Sequence, residues 1–176
     1  MKEYYCEPKK REEIKEVAKW FRARYKTENC LWFPAVEIMD IFCIDNNVSF
    51  DIVSDEEMDD NILADTDIFN NVIRIKESVY NKACSGDGLS RMTIVHEMGH
   101  FVLLKIFGFK LNRVSKNNNI NISTCMDPEW QAKCFAGEVM IDDKLTENMS
   151  IKEIVDKCGV SYPAARYQYN ISHPSN

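Results

Sequence analysis

The residues best suited to chemistry in this 176-residue chain are two histidines and a glutamate in the run from His96 to His100, which reads His-Glu-Met-Gly-His. Residues four positions apart lie on one face of a helix, so both imidazoles can bind the same metal ion. A zinc ion held in this way lowers the pKa of its bound water to about 7, and Glu97 can accept that water's proton as a general base. The spacing therefore predicts a metal-dependent hydrolytic site.

The alternative interpretation is a helix with two ordinary histidines. The chain has only three histidines, and two of them fall at this spacing with a glutamate between them. Apolar residues flank the pair, and residues 90–104 contain no proline, which favours a buried helix around the site. A catalytic site of this kind also needs a third protein ligand.

Glu129 is the predicted third ligand. It follows Asp127 and Pro128, a cap residue and a first-turn proline that together indicate the start of a second helix. Small residues at positions 132, 136 and 137 would let this helix pack closely against the first. A close crossing would also explain Gly99, since glycine inside a helix costs about 1 kcal/mol relative to alanine.

Two other residues are weaker candidates for the third ligand. Glu138 lies on the same second helix and is the main rival, with a surface charge as its ordinary interpretation. His173 is the remaining histidine, but its polar tail has no periodicity that would fix it against a core.

Residues 91–100, followed by residues 129–136, resemble the ImmA/IrrE-type zinc metallopeptidases. Members of that family show a Thr-x-x-His-Glu-x-Gly-His helix and, nearly thirty residues later, a Glu-x-x-Ala-x-x-Phe-Ala helix. Here the separation of His100 and Glu129 is 29 residues (129 − 100). The resemblance covers about residues 47–170. The family often ends its second helix with Met-Pro, whereas residues 140–142 here read Met-Ile-Asp.

This resemblance implies one zinc ion per chain, bound by His96, His100 and Glu129, with Glu97 as the general base. It implies a zinc-dependent endopeptidase, and a substrate among the helix-turn-helix repressors of mobile elements or stress responses. The alternative is a non-catalytic, zinc-containing regulatory module that contacts a repressor or DNA. Glu97 separates the two hypotheses, because a structural zinc site needs no base.

The composition of the chain limits the classes of partner and the compartment that we expect. The formal net charge of −6 argues against direct nucleic-acid binding, which requires clustered lysine and arginine. No apolar run approaches the roughly 20 residues of a membrane span, so no membrane partner is expected. The amino terminus lacks the shape of a signal peptide, and the seven cysteines show no CxxC spacing. Reduced thiols and a cytoplasmic location are therefore expected.

We predict a single α+β domain with a small mixed or antiparallel sheet packed on several helices and a zincin-like core. Residues 1–46 would form amino-terminal helices, residues 47–145 the core, and residues 146–176 short carboxyl-terminal helices. Within these regions the patterns predict helices at 8–29, 34–43 and 90–104, strands at 47–54, 63–69 and 72–77, a turn at 70–71, a loop at 78–88 with Ser90 as the following helix cap, and an asparagine-rich loop or hairpin at 110–124.

Three expectations concern the surroundings of the site. Residues 72–76 are the candidate edge strand for an extended substrate, although a core strand without that role fits equally well. Residues 150–172 indicate two short helices with one basic residue in the second, which favours packing on the core over DNA binding. The group that would stabilise an oxyanion is left open among four residues: Tyr162, Arg166, Tyr167 and Tyr169.

Overall fold

The computed structural model describes residues 4–113 and 123–174, and it has the mixed α+β architecture that the sequence predicts. The helices of this part of the chain are α1 (Arg11–Arg24), α2 (Ala35–Asn46), α3 (Glu77–Cys84), α4 (Gly88–Phe101), α5 (Pro128–Met140), α6 (Asp143–Thr146), α7 (Ile151–Cys158) and α8 (Tyr162–Ser172). The strands are β1 (Tyr4–Cys6), β2 (Ser49–Val53), β3 (Ala64–Asp67), β4 (Val72–Lys76) and β5 (Leu111–Arg113). Short 3-10 segments lie at Asp55–Glu57 and Thr124–Met126, and a π-helical turn, Val102–Ile106, continues α4.

The strands form two small sheets. In the first, β4 lies at the centre, parallel to β2 and antiparallel to β3. The turn between β3 and β4 falls at the predicted place, and Asn71 there has a φ of +56°, a left-handed conformation that asparagine tolerates. In the second sheet, β1 pairs with β5 in an antiparallel ribbon. β1 is absent from the prediction because three residues are too few to show an alternating pattern.

The core is built around α4, which packs against α2, α3 and α5. Its apolar side chains Ile94, Val95 and Met98 are fully buried. α1 packs along α5, and the ring of Phe21 meets the ring of Phe135 edge-on at a centroid distance of 5.3 Å. The helix that carries the two histidines is therefore fixed on several sides by the core.

One predicted loop is a helix. The sequence predicts a loop at residues 78–88, but α3 occupies most of them, and Ser90 is not the cap of α4. The cap is Asp87, whose side chain accepts hydrogen bonds from the backbone N–H and the hydroxyl of Ser90. α3 has only two buried residues, Val79 and Ala83, so its stability comes from packing on α4 and its periodicity is too short to recognise.

The helix predicted at 8–29 is shorter, since α1 covers Arg11–Arg24, and α6 was not predicted. The remaining helices begin near the predicted positions. α2 begins after Pro34, which is the cap residue itself and does not lie in the first turn. α7 begins with the predicted capping box of Ser150 and Glu153, and Ser161 caps α8. The predicted packing of these short helices on the core is confirmed by four buried side chains: Ile154, Cys158, Val160 and Ala165.

Arg91 fastens this carboxyl-terminal region to the start of α4. Its buried guanidinium donates hydrogen bonds to the carbonyl oxygens of Phe33, Cys158 and Gly159 and lies 3.7 Å from the centroid of the Trp32 ring. Gly159 ends α7 with a φ of +62°, and a Cβ there would meet the Trp32 ring at 2.0 Å. The close approach therefore requires glycine.

All seven cysteines are free thiols. Over residues 4–113 and 123–174, no helix is long and apolar enough to cross a membrane. The predicted asparagine-rich loop lies mostly outside the described residues.

Candidate metal centre

The two motif histidines converge on one face of α4. His96 and His100 are one helical turn apart, and their Nε2 atoms are 3.1 Å from each other. The two rings meet at 88° with centroids 4.7 Å apart. Both imidazoles therefore direct a nitrogen to the same point in space.

Glu129 completes this group from the first turn of α5. Its Oε2 lies 3.1 Å from Nε2 of His96, and its Oε1 lies 3.4 Å from Nε2 of His100. The helix start that places it is the predicted one, since Asp127 accepts a hydrogen bond from the Glu129 backbone N–H and Pro128 occupies the first position. One ligand atom from each residue lies within 4.8 Å of the others, an arrangement that could hold a metal ion.

The donor atoms suit a small tetrahedral cation. With metal–ligand bonds of 2.0–2.1 Å, adjacent ligand atoms around a tetrahedral zinc ion are about 3.3 Å apart. The separations from His96 to its two partners and from His100 to Glu129 lie between 3.1 and 3.4 Å. Two imidazole nitrogens and a carboxylate oxygen also form a donor set typical of zinc.

A close helix crossing brings the two sets of ligands together. A Cβ built on Gly99 would lie 2.8 Å from Cδ1 of Phe135 and 3.5 Å from the carbonyl oxygen of Ala132. Phe135 is fully buried and cannot easily move aside. The expected reason for a glycine at position 99 is therefore confirmed.

Glu97 lies beside the ligands and is only 6% exposed. Thr66 of β3 donates a hydrogen bond to its Oε2 at 2.8 Å. Burial raises the pKa of Glu97 above its ordinary value, and the charges of His96 and His100 and the bond from Thr66 offset this only in part. A carboxylate with a raised pKa is a stronger base than an exposed one.

The ligands also shift each other's pKa. Hydrogen bonds from His100 and His96 hold the pKa of Glu129 well below its ordinary value, against the effect of burial. Burial acts to lower the pKa of His100, but its bond to Glu129 and the negative charges of Glu97 and Glu129 outweigh burial, so the net direction is upward. Both shifts favour the charged forms, an imidazolium beside a carboxylate.

The cluster lies at the floor of an open cleft of about 590 Å³. The lining of the cleft includes β3 and the turn after it, together with Tyr4 of β1 and Leu111 of β5. β3 is an edge strand, whereas β4 lies at the centre of its sheet. The assignment of residues 72–76 as the edge strand for substrate is therefore wrong, because strand order cannot be read from the order of strands along the chain.

The rival ligands lie elsewhere. Glu138 is buried, which also contradicts its interpretation as a surface charge, and it is paired with Arg11 at 2.8 Å. The ring of His173 stacks on Tyr169, and its two nitrogens lie 3.1 Å from the carbonyl oxygens of Tyr169 and Glu147.

The four candidates for an oxyanion stabiliser are all on α8, and none of them is among the described residues that line the cleft. The residues that line the cleft instead include two with hydroxyl groups that the sequence analysis does not single out, Tyr4 and Thr66. Neither has a sequence signal of its own. Tyr4 is placed by pairing with Arg113 of the distant strand β5, and Thr66 is placed by the β3–β4 hairpin, in which it is paired with Ile73.

No protein-family model matches the chain, and neither a curated protein nor a solved structure matches it. The resemblance to the ImmA/IrrE-type metallopeptidases therefore depends on the residues of α4 and α5 alone.

Proposed function

We propose that the protein is a zinc-dependent endopeptidase. The observation that carries this proposal is the convergence of His96, His100 and Glu129 beside a buried glutamate, at the floor of an open cleft. A structural zinc site is closed by a fourth protein ligand, whereas a catalytic site keeps that position free for water or substrate. Three ligands and an adjacent carboxylate match the catalytic pattern and favour it over the non-catalytic module.

The three ligand residues would hold the zinc ion in this proposal. Bound there, zinc supplies a Lewis acid that lowers the pKa of water to about 7 and polarises a scissile carbonyl. Glu97 accepts the proton of the attacking water and then donates it to the leaving amine. Its position supports this role, because the buried carboxylate lies in the chain between the two histidines and lines the same cleft.

The cleft is suited to an extended peptide. Within residues 4–113 and 123–174, β3 is paired on one side only, and a substrate strand can add to such an edge through main-chain hydrogen bonds. Tyr4 replaces the four residues on α8 as our candidate donor to the oxyanion. By the resemblance of α4 and α5, we propose helix-turn-helix repressors as substrates and the cytoplasm as the compartment, which the seven free thiols support.

The test compares the wild type with Glu97→Gln, a change that keeps the shape of the side chain but removes the base. We expect about one zinc per chain in both proteins. Cleavage of purified helix-turn-helix repressors should fall by about 100- to 10,000-fold in the variant, the usual contribution of a general base. Zinc content is measured by elemental analysis and cleavage by mass spectrometry of the products.

Glu12→Gln is the matched control, because it makes the same chemical change at an exposed position of α1. It should leave both zinc content and cleavage unchanged. A wild type without zinc, or a Glu97→Gln protein that cleaves at the wild-type rate, would refute the proposal. If the wild type and both variants contain one zinc per chain and none of them cleaves a repressor, the result would support the regulatory module.

A further inference from the structure

The carboxylate of Glu97 on α4 is held by a residue from a different element, Thr66 of strand β3. The hydroxyl of Thr66 lies 2.8 Å from Oε2 of Glu97 and 3.2 Å from the backbone carbonyl oxygen of the same residue. A hydroxyl has one proton and donates to one acceptor at a time. The shorter distance and the charge of the carboxylate favour donation to Oε2.

We propose that Thr66 is a positioning residue for Glu97, an inference that rests on the function proposed above. By occupying Oε2, its hydroxyl fixes the orientation of the carboxylate and leaves Oε1 as the oxygen that accepts the proton from water. Glutamate has three rotatable side-chain bonds, so a base held only by α4 could adopt several orientations. The hydrogen bond from Thr66 selects one of them.

The position of the hydroxyl is itself fixed by the sheet. Thr66 is paired with Ile73 of the central strand β4, and Ile73 is fully buried in the core. A β-branched side chain also has few available χ1 rotamers, so a fixed backbone leaves the hydroxyl little freedom. The donor is therefore held independently of α4, as a positioning residue requires.

A purely structural role would depend on the other contact. The bond to the Glu97 carbonyl would tie β3 to α4 whatever the side chain at position 97 does, and its loss would affect stability alone. The bond to Oε2 matters only while a carboxylate is present. The two roles therefore predict different results when position 97 is also changed.

The first experiment measures kcat, KM and zinc content for Thr66→Val and Thr66→Ser. Valine removes the hydroxyl and keeps the shape, and serine keeps the hydroxyl. We expect Thr66→Val to lower kcat by about 10- to 100-fold, the usual effect of losing a hydrogen bond to a charged group, with KM changed less than about twofold. Zinc content should be unchanged, and Thr66→Ser should restore kcat to within about threefold.

Thr146→Val is the matched control. Thr146 is buried in α6, outside the cleft, and its hydroxyl donates to the carbonyl of Asp142 at 2.8 Å. This variant should lose stability without losing kcat.

The double variant separates the two roles of Thr66. In a Glu97→Gln background, Thr66→Val should lower the residual activity no further, since the carboxylate that the Thr66 hydroxyl orients is gone. Two results would overturn the inference. One is a wild-type kcat in Thr66→Val, and the other is a fold loss of kcat from Thr66→Val that is the same in the wild type and in the Glu97→Gln background.

The second experiment does not depend on activity. Crystal structures of the zinc-loaded wild type and Thr66→Ser should show Glu97 in one conformer, and Thr66→Val should show a displaced carboxylate or several conformers. An unmoved, single-conformer Glu97 in Thr66→Val would reject the positioning role. A protein that binds zinc but cleaves nothing would refute the endopeptidase proposal and leave this structural result to decide the role of Thr66. Thr66→Ala serves in place of Thr66→Val if the latter does not fold.

Discussion

The two ends of α5 each carry a glutamate, and the fold treats them in opposite ways. Glu138 at the far end has a side chain only 5% exposed, and it accepts hydrogen bonds from Arg11 and Gln168 at 2.8 and 2.9 Å. Glu129 at the near end has a side chain 56% exposed, and its oxygens face two imidazoles that also face each other. One carboxylate has a permanent cation from the chain, and the other belongs to a group of converging acceptors.

This difference shows how a structural carboxylate can be told from a ligand. At the far end, charge and hydrogen-bonding capacity are satisfied within the fold, so nothing further is needed to stabilise the buried pair. At the near end, three lone-pair donors converge, and only a proton or a metal ion between them makes the arrangement favourable. A change at the near end should therefore alter metal affinity, and one at the far end should alter stability.

Removing the near carboxylate should have the largest effect. We expect Glu129→Ala to weaken zinc binding by about 100- to 1,000-fold, since the roughly 10–16 kcal/mol of a four-ligand zinc site corresponds to about 3–4 kcal/mol per ligand. The metal-free protein should unfold at a urea concentration close to that of the wild type. Competition titration with a chelator measures the affinity. Zinc affinity within tenfold of the wild type would remove Glu129 from the site.

The far carboxylate gives the reciprocal result. Glu138→Ala leaves Arg11 without its buried partner and should lower the free energy of unfolding by about 3 kcal/mol. Zinc content of the folded protein should not change. Urea denaturation measures the loss, and Glu16→Ala is the control, because Glu16 is in an exposed pair with Lys19 that contributes at most about 1 kcal/mol. Equal losses of unfolding free energy in Glu138→Ala and Glu16→Ala would contradict the structural role of Glu138.

The third prediction concerns pH at the near end. The pKa of His100 in the metal-free protein lies above its ordinary value of 6.5, despite the opposing effect of burial. Zinc binds neutral imidazole, so the proton must leave first. Affinity should therefore fall by about tenfold for each pH unit below this raised pKa and level off above it. Zinc titrations at several pH values test the sign, and an affinity independent of pH would contradict it.

The contrast also explains what the sequence could predict. The near end was predictable because each of its parts is local: a four-residue spacing in α4, a cap and proline at the start of α5, and a glycine that implies a close crossing. The far end was not, because Arg11 lies 127 residues from Glu138 and nothing in either segment indicates the other. A buried pair of this kind is visible only after α1 has packed on α5.

The same limit applies to the walls of the cleft. The sequence predicts β3 and β4 as two strands joined by a turn at 70–71, but their order in the sheet depends on β2, which pairs with β4. The hydrogen bond from Thr66 to Glu97 depends on that strand order. Nothing in the sequence around Thr66 distinguishes it from any other threonine in a short strand. α3 was missed for a different reason, since eight residues with two buried side chains resemble a loop.

The ribbon of β1 and β5 has a consequence for how the cleft is completed during folding. Tyr4 is paired with Arg113, a separation of 109 residues (113 − 4), and each strand has only three residues. Bringing such distant segments together lowers the chain entropy, and only three pairs of residues offset this loss. This ribbon should therefore form late in folding. It should also open first in the native state, with fast hydrogen exchange at β1 and slow exchange in α4. The ribbon beside the cleft and the helices α4 and α5 would then differ in lifetime, and the cleft could widen while His96, His100 and Glu129 stay in place.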